Sequence, residues 1–514
     1  MDEISLKPRD YQINILNTAK EKNTLVILPT GTGKTLIAIM LAVERFKKYP
    51  LQKILILAPT KPLIEQHINS FENILPSNWA DMQLFTGKTK SDLRKKIWKT
   101  AEFIFSTPQC IANDLKKKLY DLEEVSLLIV DEAHRCMKNY AYNVVTKIYK
   151  IQAQNPRILA LTASPGGDKK TIKEVCDNLA IESVEIRTRD SPDVKKYLQE
   201  LNFEKIEVNF PKEFLEIKIL LEEIYYEKIR QLKERKLVFG PINKIQILKL
   251  QSRLMQELKR SKDGNKMQGV SLCAQALKIS HAIDLIETQT LTSFIEYMKG
   301  LFKQSSEKQS RAVQQITKDP RFTKAYSLSL IISEEHPKLE ELKKQIKEKI
   351  NQNKKSKIIV FAQFRETVNK INLELNKIEN IKSGIFVGQA IKQNSYGEST
   401  GLKQKEQKKI IEDFKEGKLN VLISTSIGEE GLDIPEVSMV IFYEPVPSAI
   451  RKIQRAGRTA RLKPGELKIL VTKNTKDQIY HYASFHKEKR MHSAIEEIQK
   501  EISNKEKQAQ KTLF

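Results

Sequence analysis

Lys34 closes a run, LPTGTGKT (Leu28 to Thr35), in which Gly31 and Gly33 let the backbone curl until its N–H groups converge. An apolar run precedes it and a helical pattern follows, so the convergent donors sit at a helix N-terminus, where anions bind. That context makes Pro29, Thr30, Gly31, Thr32 and Gly33 a cradle for nucleotide phosphates. Lys34 then reaches the β- and γ-phosphates, and Thr35 offers its hydroxyl to Mg²⁺. Leu28 stands where the pattern has glycine or alanine, a position that forms little of the cradle.

Asp131-Glu132-Ala133-His134 follows the apolar run Leu127 to Val130. Two carboxylates at the exit of a buried strand lie where ligands bind in parallel sheets. Asp131 is suited to hold Mg²⁺ through its water shell, and Glu132 to orient and deprotonate an attacking water. QRAGRTAR (Gln454 to Arg461) adds Gln454 and two guanidinium groups, Arg458 and Arg461, spaced to share one helix face. Arginines that reach the γ-phosphate from an opposite lobe stabilise charge as it spreads. ATP and Mg²⁺ are the expected cofactors, and hydrolysis is expected only when the cleft between lobes is shut.

The elements that must position these groups are legible as two α/β units. Short apolar runs bounded by turns lie at Thr24 to Leu28, Lys53 to Ala58, Phe103 to Ser106, Leu127 to Val130 and Ile158 to Thr162. The rhythm returns at Lys357 to Phe361, Ser383 to Val387, Asn420 to Ser424, Met439 to Phe442 and Leu467 to Val471. Strands buried on both faces of a parallel sheet read this way. Between the units, Phe214 to Leu237 and Ile242 to Leu258 carry apolar residues at helical spacing. The expected architecture is α/β: two RecA-like parallel-sheet domains, 1–188 and 337–474, a mostly helical insert at 189–336, and a polar helical tail at 475–514. Arg230 to Arg260 is the densest basic stretch of the insert; Lys233, Arg235 and Lys236 are its candidate nucleic-acid contacts.

Bulk composition agrees with several globular domains that meet a polyanion. The chain has 514 residues, is 40% hydrophobic and carries a net charge of +25. Cys110, Cys136, Cys176 and Cys273 show no metal-ligand spacing and read as reduced thiols. The N-terminus lacks a signal region and no apolar run is long enough to cross a bilayer. A soluble, cytoplasmic protein is expected. Trp79 and Trp98 read as packing residues rather than base-stacking ones.

Together the segments resemble the superfamily 2 helicases over Leu6 to Lys473. The resemblance implies that Arg9 and Gln12 recognise adenine, and that His134, Thr162 and Ser164 of TASP couple nucleotide state to strand grip. It implies that Gly431 and Asp433 close on the nucleotide. It places Pro59, Thr60, Thr86, Gly87, Thr107 and Pro108 in the first lobe, and Gln363, Arg365, Gln389 and Thr425 in the second, against a sugar-phosphate backbone. Such contacts position a strand without reading its sequence.

FVGQA (Phe386 to Ala390), EEGLDIP and YEPVPSAIRKIQRAGRTAR (Tyr443 to Arg461) resemble, more narrowly, the branch of archaeal Hef and the Fanconi-anaemia protein FANCM. That branch implies a DNA helicase or translocase acting on forks and branched junctions in DNA repair, moving 3′-to-5′. RIG-I-like receptors and Dicer helicase lobes, which act on double-stranded RNA, are the nearest alternative, and a non-catalytic junction-binding scaffold is one of another class. Longer relatives carry a nuclease domain, and none is expected in this chain. The final residues resemble a shortened motif for the sliding clamp PCNA, with Gln510, Leu513 and Phe514 as anchors.

Overall fold

The described residues of the computed structural model are 7–76, 78–261, 263–388, 401–428, 434–460 and 464–511. The expected site residues Gln389, Gly431, Asp433, Arg461, Leu513 and Phe514 lie outside them. Of Gln454 and Gln510 only the helical backbone is described.

The first lobe holds strands β1 (Thr24–Ile27), β2 (Lys53–Leu57), β3 (Met82–Phe85), β4 (Phe103–Ser106), β5 (Val125–Val130), β6 (Ile158–Thr162) and β7 (Ser183–Ile186). They form a parallel sheet in the order β3-β4-β2-β5-β6-β1-β7. Strands β1, β2, β4, β5 and β6 are buried along their whole length, which is why each reads as an unbroken apolar run. The two outermost strands, β3 and β7, are only partly buried and mix polar with apolar residues. They gave no such run.

The second lobe is also parallel. Its strands are β8 (Leu201–Val208), β9 (Ile358–Phe361), β10 (Ser383–Phe386), β11 (Val421–Ser424), β12 (Met439–Phe442) and β13 (Gly465–Thr472), ordered β10-β11-β9-β12-β13-β8. Strand β8 falls inside the stretch expected to be helical. It pairs with β13 over eight residues, from Leu201 with Gly465 to Val208 with Thr472. The chain therefore lays one edge strand on the second lobe before it enters the insert. LNFEKIEV is largely solvent-facing, so its strand character comes from a partner more than 250 residues away.

From Lys212 to Ile331 the chain is a helical bundle, with Lys212–Glu234, Lys244–Leu258, Gly264–Thr288 and Leu291–Ser306 its longest helices. Phe214, Ile217, Leu221, Ile283, Phe294 and Phe322 form its main core. The bundle joins the second lobe through a buried polar junction. Lys338, fully buried, donates to Thr288 O at 2.6 Å, Tyr443 O at 3.1 Å and Asp477 Oδ2 at 2.7 Å. Thr367 Oγ1 donates to Gln289 Oε1 at 2.8 Å, and Gln289 Nε2 to Glu444 Oε2 at 3.4 Å.

Glu444 carries a pH signature at this junction. Burial pushes its carboxyl up to about 7, against the opposing charges of Arg455 and Lys338. The folded protein therefore keeps a proton between about pH 4.5 and about 7 that the unfolded chain has released. Stability then falls as pH rises through that window. Glu444→Gln, of the same shape but never charged, is expected to flatten the dependence of Tm on pH between 5 and 8. Calorimetric melts of both proteins across that range check it.

The helix Lys476–Lys511 leaves this junction and crosses to the first lobe. Met491, Ala494, Ile495 and Ile498 enter the first lobe's core. Lys169 pairs with Glu497 at 2.7 Å and Glu501 at 2.8 Å, and Gln499 Nε2 donates to Val184 O at 3.0 Å. Among the described residues no helix is long and apolar enough to cross a membrane. All four cysteines are buried. Trp98 stacks on Tyr120 at 3.9 Å, and Trp79 packs edge-on against Phe46 and Phe103, so both tryptophans are packing residues.

Candidate nucleotide and nucleic-acid site

Strand β1 ends at the loop Pro29–Gly33 and the helix Lys34–Lys48 begins directly after it. Gly31 and Gly33 lie at φ 80° and 82°, the left-handed region that side chains avoid. A Cβ on Gly33 would also fall 2.4 Å from Gln12 Nε2. The loop is braced from below: Tyr11 Oη donates to Thr32 O at 2.5 Å and Gln12 Nε2 to the same oxygen at 3.1 Å. Gln12 Oε1 in turn accepts from Arg9 N, and the Arg9 guanidinium lies 4.8 Å over the Tyr197 ring. Arg9 and Gln12 are thus beside the loop, and Tyr11 joins them as a brace that no motif spacing announced. Lys34 Nζ donates to Leu28 O at 2.9 Å and Pro29 O at 3.2 Å, which holds the ammonium over the mouth of the loop.

Asp131 and Glu132 follow β5, next but one to β1 in the sheet. Asp131 Oδ2 meets His67 Nε2 at 2.8 Å. Burial alone would raise the Asp131 carboxyl, but the His67 hydrogen bond and the charges of His67 and Lys34 outweigh it and hold the group below its ordinary range. Asp131 is therefore an anion facing the Lys34 ammonium, the form in which a carboxylate holds a hard cation. Glu132 sits at φ 49°, a strained conformation of the sort that concentrates at functional sites.

His134 Nδ1 lies 3.3 Å from both Glu132 Oε2 and Thr162 Oγ1. Thr162 Oγ1 accepts from Ser164 N at 3.1 Å, and Ser164 Oγ donates to Met491 Sδ at 3.0 Å. The three expected coupling residues are therefore one chain of contacts. It ends on a buried methionine of the C-terminal helix, a partner that lay 327 positions away in sequence and was not foreseen.

The second lobe reaches the same loop. Gly457, at the end of the helix Ala449–Ala456, packs so closely on it that a Cβ there would fall 1.5 Å from Thr30 Oγ1 and 2.7 Å from Thr30 Cβ. Arg458 is the next residue and is buried. Arg455, also buried, lies over the rings of Phe361 and Phe442 and fixes the helix on its own sheet. Thr459 Oγ1 donates to Val437 O at 2.6 Å and holds the turn beyond it. The turn that carries Arg458 thus meets the loop that leads into Lys34.

The expected strand contacts occupy the other half of each sheet. Pro59 and Thr60 follow β2, Thr86 and Gly87 follow β3, and Thr107 and Pro108 follow β4. Gln363 and Arg365 follow β9, and Thr425 follows β11. All stand at carboxyl ends of strands, where ligands bind in such sheets. Arg94 was not foreseen, yet it locks two of these turns together. Its guanidinium grips Asp114 through Nε at 2.6 Å and Nη2 at 2.5 Å, and Nη1 donates to Thr86 O at 3.3 Å. Asp114 belongs to the helix that Thr107 opens. In the second lobe, Arg365 Nη2 donates to Gly388 O at 3.0 Å. Lys233, Arg235 and Lys236 stand apart from both sets, at the end of the insert helix Lys212–Glu234.

Comparison with known proteins agrees with this layout. The DEAD/DEAH box helicase family matches residues 9–172 and the helicase conserved C-terminal domain matches 337–463. A helical-bundle family, provisionally described as belonging to ATP-dependent RNA helicases, matches 213–336. These matches imply nucleotide binding. A Methanocaldococcus jannaschii protein, provisionally named an ATP-dependent RNA helicase, is 38% identical across 95% of this chain and 60% of its own length. The ATP-dependent DNA helicase mph1 of Neurospora crassa is 33% identical across 92% of this chain and 42% of its own. The chain thus spans under two thirds of these relatives. The crystal structure of the Pyrococcus furiosus Hef helicase domain is 43% identical with a TM-score of 0.69, covering 93% of this chain and 98% of that one. With two facing parallel-sheet lobes, a helical bundle between them and that likeness along nearly the whole of a solved domain, this chain belongs to the Hef/FANCM branch of the superfamily 2 helicases.

Proposed function

We propose that this chain is an ATP-dependent DNA helicase or translocase that remodels forked or branched DNA in repair, moving 3′-to-5′. The observation that carries the motor reading is the packing of Gly457 on Thr30, which brings the arginine turn of one lobe to the phosphate loop of the other. The cradle fits a triphosphate with Mg²⁺: Thr30 to Gly33 offer backbone N–H donors, Lys34 and Arg458 offer positive charge, and Thr35 and Asp131 offer oxygens to the cation. ATP with Mg²⁺ supplies there a phosphoanhydride bond whose cleavage releases free energy. Glu132 orients a water molecule and takes its proton. Arg458, and by resemblance Arg461, complete the charge of the site only when the lobes are shut, with Gln454 as a neutral hydrogen-bonding partner beside them. Arg9 and Gln12 face the base, with Gly431 and Asp433 closing from the second lobe.

His134, Thr162 and Ser164 pass the state of the cleft to the strand-gripping turns. Pro59, Thr60, Thr86, Gly87, Thr107 and Pro108 hold a backbone on one lobe, and Gln363, Arg365, Gln389 and Thr425 on the other. Alternate grip and release by the two lobes then moves the protein along DNA. The name of the Neurospora crassa relative, an ATP-dependent DNA helicase, supports DNA as the track. The provisional RNA name of the Methanocaldococcus jannaschii protein favours a second reading, an ATPase stimulated by double-stranded RNA. ATP turnover with forks, four-way junctions, single strands and double-stranded RNA separates them. Branched DNA is expected to stimulate most. Stimulation by RNA alone would overturn the proposal, and no turnover on any substrate would leave only a binding scaffold.

A further inference from the structure

The distal end of the insert presents an aromatic side chain that its own core does not use. Phe239 is 82% exposed in the loop between the helices Lys212–Glu234 and Lys244–Leu258. The loop itself is held firmly. Leu237 packs onto Gly269 so closely that a Cβ there would fall 2.4 Å from Leu237 Cδ1. Val238 is buried, and Arg235 Nη1 donates to Asn265 Oδ1 at 3.0 Å. Lys236 and Gly240 both adopt left-handed backbones, φ 57° and 73°, and Pro241 follows. The chain is thus bent so that Leu237 and Val238 turn inward and Phe239 turns out. Beside the ring, Pro241, Ile242, Gln246, Lys249 and Arg253 line a shallow groove of about 280 Å³. Lys249 and Arg253 bring positive charge beside the ring, Arg253 sharing it with Glu257 at 3.7 Å, and an apolar protein partner would have to bury that charge at a cost. The arrangement suits a nucleotide, which offers a flat base for the ring and a phosphate for the cations.

We infer that Phe239 with Lys249 and Arg253 is a stacking site for an unpaired nucleobase at the branch of the DNA. This rests on the DNA reading above and adds a contact remote from both lobes. The helix Gly264–Thr288 has 25 residues, so it runs about 37 Å, at 1.5 Å per residue. Its far end adjoins the Phe239 loop through Asn265. Its near end is followed by Gln289, which bonds Thr367, two residues beyond the strand-contact candidate Arg365. The insert thus carries an aromatic tip about eleven base pairs of duplex length from the grip of the second lobe. A strand held on the lobes and a base held at the tip would define a branch between them.

The test uses the full chain and forked DNA with 2-aminopurine walked through the unpaired positions near the junction. Stacking on Phe239 is expected to quench the probe at one register. Phe239→Ala should abolish that quenching and weaken fork binding about 5- to 150-fold. Phe239→Tyr should retain both, and single-strand-stimulated ATPase should be unchanged in both variants. Lys249→Gln with Arg253→Gln should lower the log–log salt slope of fork binding by about 1.4, whereas Phe239→Ala should leave it alone. Since Phe239 is exposed, melting temperatures should not move. Equal quenching and equal affinity in Phe239→Ala would overturn the site, including the case where the tip serves a protein partner. If the unaltered chain neither binds forks nor is stimulated by DNA, it is the DNA reading that fails, and with it this site.

Discussion

Lys34→Ala is expected to lower ATP turnover about 100- to 1,000-fold while DNA affinity and melting temperature stay near those of the unaltered protein. The size follows from removing one preorganised charge aimed at developing negative charge in a partly dry cleft. The sparing of the fold follows from position. Lys34 is only half-buried, and its ammonium contacts Leu28 O and Pro29 O at the surface of the loop rather than beneath it. The braces that shape the loop, Tyr11 and Gln12, do not involve it. Turnover, fork affinity and a thermal melt on the same preparation check the expectation. Parallel loss of turnover and DNA affinity would instead give Lys34 a structural role.

Gly457→Ala tests the union of the lobes. Gly457 has φ −69°, so alanine meets no backbone strain there. The three atoms nearest its methyl group would all belong to Thr30, with Oγ1 at 1.5 Å, Cβ at 2.7 Å and Cγ2 at 3.0 Å. Rotation of Thr30 can move Oγ1 away but not Cβ, so the shut cleft must widen. Overpacking of this kind costs about 1–3 kcal/mol, which converts to a fall of about 5- to 150-fold in turnover. Thr30→Gly removes all three of these atoms, so the double variant should recover most of the loss. Recovery is the decisive readout, because a damaged arginine turn would not be mended by a change in the opposite lobe. A single variant with full activity would mean that hydrolysis does not need this closure.

The nucleotide chemistry was legible because its residues are local. A loop whose glycines must adopt left-handed backbones, a carboxylate pair at a strand exit and two spaced arginines each fit within eight positions. The central strands were legible for a related reason. Burial on both faces forces an unbroken apolar run, as in Val125–Val130. Edge strands are only partly buried and weaken that signature: β10 was still legible as Ser383 to Val387, but β3 and β7 were not and β8 lay unseen in a stretch expected to be helical.

What the sequence by itself determined, then, was the motor's motif set, the parallel-sheet class of both lobes and the helical character between them. Tertiary structure alone decided which residues hold those parts against each other. Arg94 locks the Thr86 turn to Asp114, Lys338 ties the insert to Asp477, and Met491 meets Ser164. These pairs carry no spacing rule, since the two partners stand 20, 139 and 327 positions apart. Only the folding of the sheets and the crossing of the C-terminal helix place each donor beside its acceptor, away from competing water.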